Sequence, residues 1–233
     1  MNRPAKFLAP LTCLGILAPQ APDDRLADLL GVPYLVDGVQ DERGRWTTFA
    51  DPGRILDGPG LNCSGFLLAA ARRLLGYHGT PAEAGRDRRG DSGPDAASGP
   101  DWDFGWDLVL NLSEGRPRQW LPPDREAAEG DAREAHGFAV QDAGTWRDIR
   151  SRMRSDRVYL AAFLRRRTGT QKYHHVALLL KDPGGSVWLY QTLPRGRVHR
   201  LCLSTPAGFA SLCRMFGPAE RIRILEVAPP ATY

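Results

Sequence analysis

"LNCSGFLLAAARRLLG", residues 61–76, sets a cysteine with small polar neighbours directly ahead of an apolar, helix-forming run. Phe66, Leu67, Ala70 and Leu74 recur at the spacing of one helix face and Gly76 supplies a stop, so a helix is predicted from the cysteine to about Leu75. A thiol at that position meets backbone N–H groups that lack an intrahelical acceptor, at the positive end of the helix dipole. Both favour the thiolate, the form that attacks. Ser64 and Gly65 are small enough to let backbone and substrate come close. The competing reading of Cys63 is a small buried hydrophobe that only packs.

Working outward, "PDDRLADLLG" (22–31) predicts a short helix, with Asp23 as cap and Gly31 as its end. A polar stretch with turn signals at "DERGR", "DPG" and "DGPG" leads to the cysteine. Residues 79–101 are dense in Gly, Pro, Asp and Arg with almost nothing apolar to bury, which predicts a mobile surface loop within an inserted flexible segment around 77–135. "DAGTWRDIRSRMRSD" predicts an amphipathic helix that starts near Asp142 or Thr145. The rhythm then changes. "RVYLAAFLRR", "YHHVALLLKD" and "SVWLYQTL" are successive β-type runs, the last two joined by the turn "DPGGS". A helix in "STPAGFASLCRMFG", capped by Ser204 or Thr205, and a final strand "RIRILEVA" complete the chain. The expected class is α+β, with N-terminal helices packed on an antiparallel meander in one domain, 22–233.

A nucleophilic cysteine needs a base, usually a histidine, and a polar group that orients it. Alternation along "HHVALLLKD" puts His175, Ala177 and Leu179 on one strand face and His174, Val176 and Leu178 on the other. His175 is the preferred base, with His174 the alternative. Across the hairpin, Gln191 offers an amide oxygen that can accept from the imidazole and fix its tautomer. A one-residue slip would bring Tyr190 inward instead.

Taken together, "LLGVPYLVDG", "NCSGF" opening a helix and "HHVALLL" opening a strand more than a hundred residues later resemble the NlpC family of papain-fold cell-wall cysteine peptidases. The resemblance implies a papain-like, NlpC-type fold with Cys63 as nucleophile, His175 as general base and Gln191 as orienting residue. It further implies that Tyr34, together with Ser64 and the backbone at Cys63, lines the substrate and oxyanion side of the site. The substrate it implies is an amide of a peptidoglycan stem peptide, in particular the γ-D-glutamyl bond to a diamino acid. The chain departs from the family pattern at four places. Asn62 stands where an aspartate is usual, "LVDG" replaces a Trp-Gly-Gly turn, His174 replaces the glycine before the histidine, and Gln191 stands where histidine is commoner.

The formal charge is +4, of which Arg3 and Lys6 supply two, and no basic stripe is interleaved with aromatics, so nucleic acid is not an expected partner. The start of the chain, two cations, an apolar run from 7 to 18 and small residues, has the layout of a signal peptide over 1–21, which predicts a periplasmic or secreted protein without stable membrane insertion. Cys202 and Cys213 are either a bridge or two buried thiols. Neither CxxC nor HxxxH spacing occurs, so no metal and no other cofactor is expected. Trp102, Trp106 and Trp188 are expected to pack, the alternative being a stacking surface for sugars. Two further readings stand beside a stem-peptide hydrolase: a non-catalytic cell-wall-binding envelope protein on the same scaffold, and the same triad acting on another amide or ester.

Overall fold

Strands whose residues are apolar on both faces must be covered on both sides, and the C-terminal half contains several. The computed structural model describes residues 24–92, 102–122, 137–167 and 170–230. A 3-10 helix, Asp24–Leu29, leads into a hairpin of β1 (Gly38–Gln40) and β2 (Trp46–Thr48). Next come α1 (Cys63–Leu75), α2 (Pro81–Ala84), α3 (Phe104–Leu112), β3 (Arg118–Leu121), β4 (Phe138–Ala139) and α4 (Ala143–Arg152). The chain continues through β5 (Val158–Arg167), β6 (Thr170–Lys181), β7 (Val187–Gln191), β8 (His199–Cys202), α5 (Pro206–Met215) and β9 (Glu220–Val227).

Among the described residues one sheet runs in the order β3-β9-β5-β6-β7-β8, with β4 also paired to β9, and every pairing is antiparallel. The mixed, antiparallel α+β character matches the expected class. Two details differ from a simple meander under N-terminal helices. The last strand returns to pair with β5 instead of extending past β8. Helices also cover both faces: α1 and α3 pack with Leu160, Val176, Leu178 and Tyr190, while Trp146 and Ile149 of α4 and Leu212 of α5 pack with Ala161, Phe163, Leu179 and Ile224. Amphipathic helices before and after the strands are equally able to bury an apolar stripe, and local pattern does not say on which side.

α1 is held at both ends. Asn62 caps it by accepting from the Gly65 N–H at 2.7 Å, and Gly76 ends it in the left-handed region at φ 61°. Burial of Phe66, Leu67, Leu68, Leu74 and Leu75 contributes about 1.5–3 kcal/mol per side chain. The first turn of the helix lies against the β1 backbone: a Cβ on Gly65 would sit 2.0 Å from the Gly38 carbonyl oxygen.

The stretch expected to be a loop is partly folded. Thr80 and Glu83 form a capping box at the start of α2, Arg88 donates its backbone N–H to Asp107 at 2.9 Å, and the Asn111 amide donates to the Ala84 and Arg86 carbonyls. Polar side chains of α3 therefore do the tethering that apolar residues do elsewhere, which is why a search for buriable residues overlooks it. Residues 93–101 and 123–136, the leader over 1–21 and the proposed cap Asp23 lie outside the described residues. Cys202 and Cys213 are both unbridged thiols. Trp102, Trp106 and Trp188 are all buried, as packing residues. Among the described residues no helix is long and apolar enough to cross a membrane.

Candidate active site

The chain around Tyr34 is stitched to the entry of α1. Leu61 N–H donates to the Pro33 carbonyl, Leu35 N–H to the Leu61 carbonyl and Asn62 N–H to the Gly38 carbonyl. These bonds place Tyr34 beside Cys63, the first residue of the helix. Asn62 spends its side chain on Gly65 N–H and the helical ladder begins with Phe66 N–H on the Asn62 carbonyl, so the Cys63 and Ser64 N–H groups have no acceptor within the helix.

His175 reaches the same place from β6. A register shift between Phe163 and Leu164 makes His174 the extra residue of a β-bulge, with His175 opposite Phe163 and Tyr173 opposite Leu164. The two histidines consequently have different partners. His174 Nε2 lies 2.7 Å from Glu220 Oε2, and Glu220 also pairs with Arg165. Burial holds the His174 imidazole below its ordinary pKa, against the opposing pull of Glu220. His175 Nε2 lies 2.8 Å from Gln191 Oε1, and the ring lines the same cavity as Cys63, close enough to act on its thiol. Phe163 and Phe216 flank the His175 ring at 5.2 and 5.5 Å between centroids and fix its plane. Gln191 is fully buried, at the end of β7 on the face opposite Tyr190.

Burial alone would push the Cys63 thiol up. The hydrogen bond and charge of His175, the Val176 N–H and the Ser64 hydroxyl outweigh it, and the thiol falls from 9.0 to about 7. Val176 is available because the β6–β7 pairing begins only at Leu178. Tyr34 is shifted the other way, upward, by burial and by the nearby Cys63. Its phenol stays protonated and able to donate.

A cavity of about 340 Å³ opens over these groups. Tyr34, Cys63, Ser64 and His175 line it with Asp37, Phe49, Phe104, Lys172 and His174. Phe49 and Phe104 meet edge to face at 5.7 Å. Asp37 sits at φ 62° and accepts the Ala50 N–H at 2.8 Å, so "LVDG" is a left-handed turn that an aspartate tolerates. All five residues singled out in the sequence, Tyr34, Cys63, Ser64, His175 and Gln191, lie at or directly behind this cavity. Sequence reasoning missed the aromatic wall, because Phe49 follows β2 and Phe104 opens α3, two distant places in the chain with no shared pattern. It also missed Lys172, which lies outside any motif.

Among the described residues one group of acidic side chains, Asp87, Asp91 and Asp103, has oxygens within 4.8 Å of one another. Asp87 is already saturated there by the backbone N–H groups of Arg89, Gly90 and Ser92, which makes it a turn-forming carboxylate. Comparison of the chain with protein-family models, with curated proteins and with solved structures found no match in any of the three.

Proposed function

We propose that the chain is an exported cysteine hydrolase of the NlpC type, acting on an amide of a peptidoglycan stem peptide, in particular the γ-D-glutamyl bond to a diamino acid. One observation carries this reading: a cysteine that opens a helix shares a cavity with a histidine whose Nε2 is held by Gln191 Oε1 at 2.8 Å, and the influence of that histidine brings the thiol down to about 7. That is the nucleophile, base and orienting group of a cysteine hydrolase.

The steps follow from the positions of the groups. Cys63 Sγ attacks the amide carbonyl, and the Cys63 N–H with the Tyr34 hydroxyl stabilises the oxyanion. His175, protonated by the thiol, passes that proton to the leaving amine as the C–N bond breaks. Water, deprotonated by His175, then attacks the thioester and frees the acid, and the thiol regains its proton. The bulge that separates His174 from His175 supports giving the base role to His175 alone.

A second reading, the same apparatus on a different amide, thioester or ester, is favoured by Asn62. Its side chain is used as the helix cap, so it offers no carboxylate to the free amine of a stem peptide. Incubation with defined muropeptides, and with unrelated amide and ester substrates, separates the two. Release of the diamino acid fragment by the parent and not by Cys63→Ala supports the first; turnover only of the unrelated substrates supports the second. If Cys63 resists iodoacetamide in folded, reduced protein, both fall, and a non-catalytic cell-wall-binding protein becomes the better description.

A further inference from the structure

Gln191 orients His175 only if its amide presents oxygen and not nitrogen, and something must hold that choice. A free amide can rotate by half a turn and offer NH₂ at nearly the same position. The far side of Gln191 shows what prevents this. Its Nε2 lies 3.4 Å from His199 Nε2 and 3.4 Å from the Met215 sulfur. His199 stands directly across from Gln191 in the β7–β8 register, and its Nδ1 lies 3.0 Å from the Arg197 carbonyl oxygen.

The polarity of each contact follows from the chemistry of the groups. A backbone carbonyl only accepts, so His199 Nδ1 carries the hydrogen. In the neutral ring its Nε2 is then a lone pair, able to accept one amide N–H of Gln191. The second amide N–H faces the sulfur of Met215, a weak acceptor. With both hydrogens of the NH₂ directed away, Oε1 must face His175, which therefore keeps its hydrogen on Nε2. The other ring nitrogen, Nδ1, is left bare to take the proton of Cys63. In the ion pair the same oxygen accepts from the imidazolium.

We propose that His199 is a positioning residue for the candidate active site: it locks the Gln191 amide and so sets the proton arrangement of His175. The proposal rests on the cysteine-hydrolase reading and adds a residue that no motif marks. Its signature is electrostatic. If the lock is lost, the amide turns part of the time, NH₂ meets the imidazolium N–H, and the thiolate–imidazolium pair is disfavoured.

The test needs no substrate. Iodoacetamide labelling of Cys63 is followed by intact mass from pH 5 to 10 in the full chain, with Cys63→Ala as control, for His199→Phe, His199→Gln, Gln191→Ala and Gln191→Ala/His199→Phe. His199→Phe is expected to move the labelling midpoint upward and to slow labelling at pH 7 by about three- to tenfold. His199→Gln, which can offer a carbonyl to the same N–H, is expected to restore most of the parent profile. The double variant is expected to match Gln191→Ala, because His199 acts only through that amide. An unmoved midpoint in His199→Phe, or a double variant much worse than Gln191→Ala, overturns the proposal. Absence of fast labelling in the parent would instead sink the hydrolase reading beneath it. Equal thermal unfolding of parent and His199→Phe separates lost orientation from lost fold.

Discussion

At Cys63 burial and hydrogen bonding pull in opposite directions, and the balance predicts a pH dependence. The thiol at about 7 loses its proton near neutrality, so labelling by iodoacetamide should rise through pH 7, well below the ordinary thiol at 9.0. Removal of the imidazole in His175→Ala leaves burial to dominate, and the midpoint should move to 9 or above; a midpoint that stays near 7 would mean that the helix start alone activates the sulfur. For turnover, Cys63→Ala and His175→Ala should each lose at least about 10³-fold, while Gln191→Ala should keep a measurable remainder, about 10- to 100-fold below the parent. Initial rates on whichever substrate is cleaved check this, and full activity in Cys63→Ala would end the assignment. At this scale the sequence was informative. Cys63, His175 and Gln191 were legible because a helix start, a strand alternation and a hairpin each have a local signature. The bulge at His174 was not, since an extra residue in one strand shows only against its partner.

Elements matter here through their contacts. α1 runs so close to β1 that Gly65→Ala would drive a methyl into the Gly38 carbonyl. The helix start would have to retreat, carrying Cys63 with it. Gly65→Ala is expected to cost about 2–4 kcal/mol in denaturant unfolding and to slow Cys63 labelling together with any turnover. α3 carries a second test. Burial first, and then the Asp103 and Asp87 carboxylates, raise Asp107 from 3.8 to about 6. The folded state thus favours the protonated acid, a contribution present below about pH 4 and lost as pH rises through 6. Asp107→Asn imitates the protonated form. Its thermal stability should equal the parent's near pH 4 and exceed it, by about 1–2 kcal/mol, above pH 6. A difference that does not change with pH would show that Asp107 does not titrate in this range. The fold of residues 79–92 onto α3 escaped sequence reading because its tethers are polar: Arg88, Asn111 and Asp107 look like surface residues until their partners are placed.

Across the whole molecule, β9 ties the layers together. It pairs with β3, β4 and β5, and its Arg223 is buried with the guanidinium 3.4 Å from the Trp106 ring, 4.7 Å from that of Trp120 and 3.2 Å from the Tyr173 hydroxyl. Burial holds Arg223 below its usual pKa, with Tyr173 opposing. α3, β3, β6 and β9 all converge on this one cation, and α3 also carries Phe104 of the cavity wall. Arg223→Ala should destabilise by about 3 kcal/mol, through the void and the lost ring contacts, as measured by denaturant unfolding. A loss under about 1 kcal/mol would mean that the aromatic stack of Trp106, Trp120 and Tyr173 holds itself.

By itself the sequence determined the local features: the start and stop of α1, the β-rich rhythm of the C-terminal half, the turn at "DPGGS", and the three residues proposed as nucleophile, base and orienting group. Each rests on interactions between residues close in the chain, where backbone geometry allows few alternatives. Only the tertiary structure decided that the last strand enters beside β5, that helices cover both faces of the sheet, and that Phe49, Phe104 and Lys172 share a cavity with Cys63. It also decided that His199 stands behind Gln191. The physical reason is the same in each case: pairing between distant strands and packing of amphipathic helices are chosen by the free energy of the whole core, and the same local pattern satisfies several arrangements until the partners are in place.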